Sequence, residues 1–380
     1  MSDARQRYER RFAESVGAVE ACAFGRGRQA LVVLLKALGA GPGDRVGLCG
    51  YTCLSVPEAV KVAGCEPVYL DVDDHLCIDP ASLARLERGS LKVLVLQHTF
   101  GLVGRLDALL AEAERIGAVV VEDACHSLGT RYRGRHVGSF GAAAIYSFQW
   151  GKPYSTGQGG MLCLSDPSLA DAVGRVVAEV AGPMSRRADW GLAIQRAAYA
   201  ALIGPRSLAL LRKAYHGLSA LGLIRGSFDL EFDFSLAGYV RLAGPSLCRA
   251  GLRRLERWPE MMAERRRNAE TIAQALRASG LPVWPPGPDC EPVMLRYPIR
   301  TSAKAEVLAR ATEASIDLAG WYATPVHPLE GEALRAVGYE PGTCPRAEDL
   351  IRRTVTLPTG PTFSPAMLEK AVGILRAQEA

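Results

Sequence analysis

The chain opens on a charged stretch, MSDARQRYERRFAESVG, and then alternates short unbroken apolar runs with segments of helical period. Candidate strands fall at 45–49, 67–70, 92–97, 118–122 and 143–148, where Val, Leu and Ala run on without alternating with polar residues. Between them, helical periodicity covers 30–38, 57–63, 80–88 and 106–116. Unbroken apolar runs mark strands buried on both faces. Strand–helix–strand order then implies an α/β fold with a mainly parallel central sheet flanked by helices. Ligands on such a sheet bind beyond the carboxyl ends of the strands, so chemistry is to be sought in the residues that follow each strand.

The second half reads differently. A charged helical segment, roughly 246–279, is followed by a strand in EPVMLRYPIR, a helix over 303–314, a strand in RRTVTLP and a closing amphipathic helix over 365–378. This divides the chain into a large α/β domain, 1–245, with a helical insertion at about 183–236, and a second part, 246–380. The second part comprises the connecting helix and a smaller C-terminal α+β domain. A length of 380 residues suits two or three domains at roughly 150 residues each.

Composition narrows the class. Hydrophobic residues make up 48% and charged residues 22%, which excludes a disordered chain. No apolar run reaches the ~18–20 residues of a membrane span, and the N-terminal stretch lacks the apolar core of an export signal. A cytoplasmic protein is expected. The ten cysteines form no CxxC pair, so buried reduced thiols are expected and no metal site. The net charge of +5 is local: Arg186, Arg187, Arg196, Arg206, Arg212, Lys213 and Arg225 face a single acid, Asp189, in one stretch. That gives no support for nucleic-acid binding, which would need a reading element as well.

Three groups carry chemistry. Lys152, one of only seven lysines, sits in YSFQWGKPYSTGQGGM, on a tight Gly-rich turn after a buried strand. Partial desolvation there would lower its pKa and favour a nucleophilic amine, although a surface-loop lysine would share the same context. Asp123 ends the apolar run AVVVED, where a carboxylate needs a cationic partner, such as a pyridinium nitrogen, or else caps the next helix. Gly25, Gly27 and Arg28 in GRGRQALVVLL open a helix and offer backbone N–H groups and a positive dipole to an anion. Ala30 stands where a third glycine would complete GxGxxG, so a dinucleotide fold is poorly supported.

In this order the three groups, with GPGDRV, GCEPVYLDVD, VEDACHSLGTRYRGRHVGSFG, SFQWGKPYSTGQGG and CPRAEDL…TLP, resemble the DegT/DnrJ/EryC1/StrS family. These are pyridoxal-phosphate enzymes of fold type I (aspartate-aminotransferase-like), mostly sugar aminotransferases. The resemblance covers about 15–182 and about 237 to the end. It implies pyridoxal 5′-phosphate as cofactor, with Lys152 as the Schiff-base lysine and Asp123 paired with the pyridine nitrogen. His126 falls near the phenolic oxygen, and Ser147 with Gly27, Arg28 and Gln29 falls where the phosphate is held. His327 and Tyr322, in WYATPVHP, match the substrate side. It implies further an amino acid donor, glutamate, a nucleotide-linked keto-sugar acceptor, and a homodimer with the active site at the interface.

Departures from the pattern bear on that reading. Cys53 stands where many members have an aromatic that stacks on the cofactor, and Tyr51 or His98 are candidate replacements. Gln158 replaces a frequent Glu, and Val240 replaces an Asn that reaches the partner's cofactor. Two alternatives stay open: a sugar dehydratase of the same family, disfavoured because such members carry His in place of Lys152, and a non-catalytic, cofactor-binding regulatory protein. The insertion reads as helices at 192–203 and 207–224. A lid or dimer-contact hairpin is favoured over a basic amphipathic element touching an anionic membrane.

Overall fold

Burial on both faces, read from the Val/Leu runs, is what the sheet displays. In a computed structural model that describes residues 3–202, 234–284, 287 and 289–379, nine strands join in one sheet. In chain order they are β1 (Glu20–Phe24), β2 (Arg45–Cys49), β3 (Glu66–Leu70), β4 (Val93–Gln97), β5 (Val119–Asp123), β6 (Ala143–Ser147), β7 (Gly160–Leu164), β8 (Gly182–Pro183) and β9 (Arg241–Leu242). Their spatial order is β8-β9-β1-β7-β6-β5-β4-β2-β3. The run β3-β2-β4-β5-β6 is parallel throughout, whereas β7 is antiparallel to both β6 and β1. The carboxyl ends of β2, β4, β5 and β6 therefore open on one edge.

The five expected strands lie within a residue of their sequence positions. β1 and β7 were not among them. Their sequences, EACAF and GMLCL, contain none of the β-branched residues that mark a strand. The helix expected at 106–116 is Leu106–Ile116, closed by Gly117 in the left-handed region at φ 75°. The one expected at 80–88 stops at Ala84.

The long segment 246–279 is two helices, Pro245–Glu256 and Trp258–Ala278. Pro259 stands in the first turn of the second; its ring has no N–H to continue the first helix. Beyond them, Arg296–Arg300 pairs antiparallel with Thr354–Pro358, flanked by helices Lys304–Glu313, Pro345–Arg353 and Pro365–Glu379. Several contacts tie this region to the large part, among them the Tyr69 hydroxyl donating to the Val337 carbonyl and one short strand pair. Val326–His327 runs parallel to Thr52–Cys53, and the Leu54 N–H donates to the His327 carbonyl.

In the insertion, helix Arg186–Leu202 starts six residues before the expected one, and the helix expected at 207–224 lies outside the described residues. Its Asp189 caps helix Pro245–Glu256 by accepting from the Ser246 N–H at 3.0 Å. No helix among the described residues is long and apolar enough to cross a membrane. All ten cysteines are free thiols. A second buried cluster, including Tyr8, Phe12, Tyr146, Phe148 and Tyr154, packs the N-terminal helix Asp3–Val16 beneath the turn that carries Lys152. There the Phe12 ring lies 5.3 Å from both Tyr146 and Phe148.

Candidate active site

The parallel strand ends border a cavity of about 780 Å³. Asp123 closes β5 and is 5% exposed. One of its oxygens accepts the Cys125 N–H at 3.0 Å, and among the described residues no basic side chain pairs with it. Alternation along the strand turns the preceding Glu122 the other way. Its carboxylate accepts the Gly138, Phe140 and Gly141 N–H groups and sits 3.0 Å from His98 Nε2. Burial raises the Glu122 pKa, but the His98 contact and the backbone donors outweigh it and hold the carboxyl below its ordinary value.

Lys152 is half-buried and lines the cavity; its own N–H donates to the Gln149 carbonyl, closing the turn. His126, 4% exposed, packs between the Phe100 ring at 5.8 Å and the Trp321 ring at 5.9 Å. Burial, and then the charge of Lys152, keeps its pKa well below the ordinary value. The imidazole is therefore neutral. Because Nδ1 accepts the Phe100 N–H at 3.3 Å, the ring proton sits on Nε2.

The helix Gly27–Ala37 begins against the end of β6. A side chain at Gly27 would put Cβ 3.0 Å from Ser147 Cβ, and one at Gly160 would meet Gly27 N and Cα at 2.4 Å. Two glycines thus bring the first turn of the helix, with N–H groups unpaired within the helix, to the cavity beside Ser147. Arg28 lines the same wall and pairs with Glu58. Gln29 lies outside the lining: its amide holds the Arg26 N–H and the Tyr239 carbonyl, and its N–H donates to the Arg26 carbonyl.

On the opposite side of the sequence, Tyr322 reaches the lining from the C-terminal region, with its ring 5.3 Å from Tyr51. His327 stands behind it rather than in the lining, stacked on Tyr322 at 5.2 Å. Burial, then Lys304, lowers the His327 pKa to about 4. Cys53 lines the cavity, whereas Tyr51 and His98 do not, so neither replaces an aromatic there. Gln158 is in the lining; Val240 is fully buried and outside it.

Sequence reasoning missed Gln97, Cys125 and Gln149 in the lining. Gln97 ends the apolar run VLVLQ just as Asp123 ends its own, so the same signal would have found it. Its amide donates to the Tyr51 carbonyl and its oxygen accepts from Thr52 Oγ1 at 2.6 Å. Among the described residues no group of three or more His, Cys, Asp or Glu side chains could hold a metal ion.

A buried carboxylate without a cation calls for a protonated ring nitrogen, and a helix start with a guanidinium calls for an anion. With a lysine on the same cavity, these demands fit pyridoxal 5′-phosphate in the fold type I class. Sequence comparison agrees: the model of the DegT/DnrJ/EryC1/StrS aminotransferase family matches residues 1–189 and 245–376. The chain belongs to that family of pyridoxal-phosphate-dependent enzymes. The spore coat polysaccharide biosynthesis protein SpsC of Bacillus subtilis is 40% identical over 169 residues, 44% of this chain and 43% of that protein. Less than half of that relative is thus spanned. The dTDP-3-amino-3,4,6-trideoxy-alpha-D-glucose transaminase of Streptomyces venezuelae is 28% identical over 93% of this chain and 81% of its own. The crystal structure of S. venezuelae DesV in complex with a ketimine intermediate superposes with a TM-score of 0.77 and 25% identity, covering 99% of this chain and 89% of that one.

Proposed function

We propose that the protein transfers an amino group from L-glutamate to a nucleotide-linked keto-sugar, with Lys152 as the catalytic amine. The observation that carries this reading is the meeting of Lys152 with the buried, cation-free Asp123 on one cavity. Pyridoxal phosphate bound there supplies an electron sink for the carbanion formed when the donor loses its α-proton. Asp123 holds a proton on the ring nitrogen. Lys152 would tether the cofactor through its Nζ, and the same amine, when free, would carry the donor's α-proton. His126, neutral with its proton on Nε2, donates a hydrogen bond without adding charge. Gly27, Arg28 and Ser147 hold the phosphate, and Tyr322 with Cys53 walls the substrate side.

The keto-sugar acceptor is supported by the S. venezuelae relative, a transaminase named for a dTDP-linked amino sugar, and the homodimer by the family resemblance. The division near residue 245 would place the proposed cofactor contacts in the large part and Tyr322 in the C-terminal part.

Titrating cofactor-loaded protein with L-glutamate while following visible absorbance tests the reading. The visible band of the lysine-linked cofactor is expected to bleach, with absorbance growing in the near ultraviolet. A band that no amino donor bleaches would overturn the transaminase reading, and a Lys152→Ala variant that still shows the lysine-linked band would overturn the assignment of Lys152.

A further inference from the structure

Arg28 has five N–H donors, yet the described hydrogen bonding of its side chain is one contact, from Nη1 to Glu58. The residue is 9% exposed, and what remains open of it faces the cavity beside the helix start. A guanidinium so placed has donors to spare for one anion. Glu58, from helix Ser55–Val62, uses its second oxygen to accept the Tyr239 hydroxyl at 2.8 Å. Tyr239 in turn offers its carbonyl to the Gln29 amide at 2.6 Å, one residue along the helix from Arg28. The chain of contacts closes on itself: Arg28 to Glu58, Glu58 to Tyr239, Tyr239 to Gln29. Every member leans on the first turn of the helix Gly27–Ala37.

We propose that Glu58, fixed by Tyr239, is a positioning residue that orients the Arg28 guanidinium toward the phosphate of the cofactor. The inference rests on the placement of the cofactor in this cavity proposed above. It makes a prediction whose sign separates orientation from field. Glu58 brings a negative charge close to the phosphate site, so on charge alone its removal would tighten phosphate binding. If Glu58 acts by orientation, its removal loosens binding instead, because Arg28 loses the geometry of a paired, charge-assisted contact.

The test measures affinity of the apoprotein for pyridoxal phosphate and, separately, for pyridoxal, which has no phosphate, with inorganic phosphate as a competitor. Glu58→Gln is expected to weaken pyridoxal phosphate about tenfold and to leave pyridoxal unchanged. Tyr239→Phe is expected to shift it the same way by a smaller factor, and Glu58→Gln in an Arg28→Met background to add nothing. Inorganic phosphate should compete less well in both single variants.

Unchanged or tighter binding of pyridoxal phosphate by Glu58→Gln overturns the proposal. So does an equal loss for pyridoxal, which would mark a general packing defect. Should Glu58→Gln not fold, Tyr239→Phe carries the same two readouts. Failure of the underlying placement shows elsewhere: Asp123→Asn and Lys152→Ala would then retain full affinity for pyridoxal phosphate.

Discussion

Lys304 shows how a residue far from any motif shapes the site. Its ammonium donates to the Tyr322 carbonyl at 3.0 Å and to the Ile351 carbonyl at 2.6 Å. Gly320 leaves room for the stem, since a Cβ there would lie 2.8 Å from Lys304 Cε. Burial lowers the Lys304 pKa to about 8. Replacing it with Met removes the donors that hold Tyr322. The expected result is a several-fold rise in acceptor KM with cofactor affinity unchanged, read by steady-state kinetics beside a pyridoxal phosphate titration; Lys304→Arg should recover part of it. Equal losses in both would show a collapsed fold rather than a displaced wall. Single residues were legible in the sequence when a local signal marked them. Asp123 ends an apolar run with a charge, and Lys152 is a rare lysine on a Gly-rich turn. Gln97 ends such a run without a charge and escaped notice. Tyr322 was reached only through the family resemblance, and Glu58 had no mark at all, because Arg28 and Tyr239 lie far along the chain from it and only the fold brings them together.

At the scale of elements, burial made the parallel strands readable. β4 is buried at all five positions, and its sequence VLVLQ advertises it. β1 and β7 escaped because neither carries a β-branched residue, yet these two strands bring the helix start to the cavity. Two glycines allow the close approach, Gly27 at the helix start and Gly160 in β7. Gly27→Ala would place a methyl 3.0 Å from Ser147 Cβ and 3.1 Å from the Tyr146 carbonyl, contacts tighter than the backbone can absorb without moving. The helix start would shift away from β6. A variant that folds with a nearly unchanged circular dichroism spectrum but binds pyridoxal phosphate at least about tenfold more weakly is the expected outcome. Unaltered affinity would mean that the helix start does not hold the phosphate. The same scale explains the helix Arg186–Leu202, most of which lies in the stretch 190–244 that the family model does not match. Its Tyr199 ring lies 4.1 Å from Trp150, two residues before Lys152, and Arg196 donates to Ser246. A segment that sequence alone set apart thus rests against the lysine turn.

For the molecule as a whole, buried imidazoles set the response to acid. Three of the five histidines among the described residues are held below their ordinary pKa: His126 well below, and His136 and His327 down to about 4. Burial is the first cause in each, followed by neighbouring cations: Lys152 for His126, Arg131 and Arg266 for His136, and Lys304 for His327. In the unfolded chain each would take up a proton near pH 6.5, while in the folded protein His136 and His327 stay neutral until close to pH 4 and burial holds His126 well below its ordinary value. Between those values the unfolded state binds more protons, so stability rises with pH and falls as acid is added. The urea midpoint should therefore decline steadily from pH 7 to pH 5, before most carboxylates titrate. Below that window Glu122, whose pKa is lowered in the fold, adds a further loss as it is forced to protonate. His136 offers the cleanest check, because it stacks near Trp258 at 5.9 Å and lies outside the cavity lining. His136→Gln should flatten the decline between pH 7 and pH 5 while leaving cofactor affinity at pH 8 unchanged. A midpoint that stays level across that range in the unaltered protein would mean that the imidazoles are as easily protonated folded as unfolded. The neutrality assigned to His126 in the site would then fail with it.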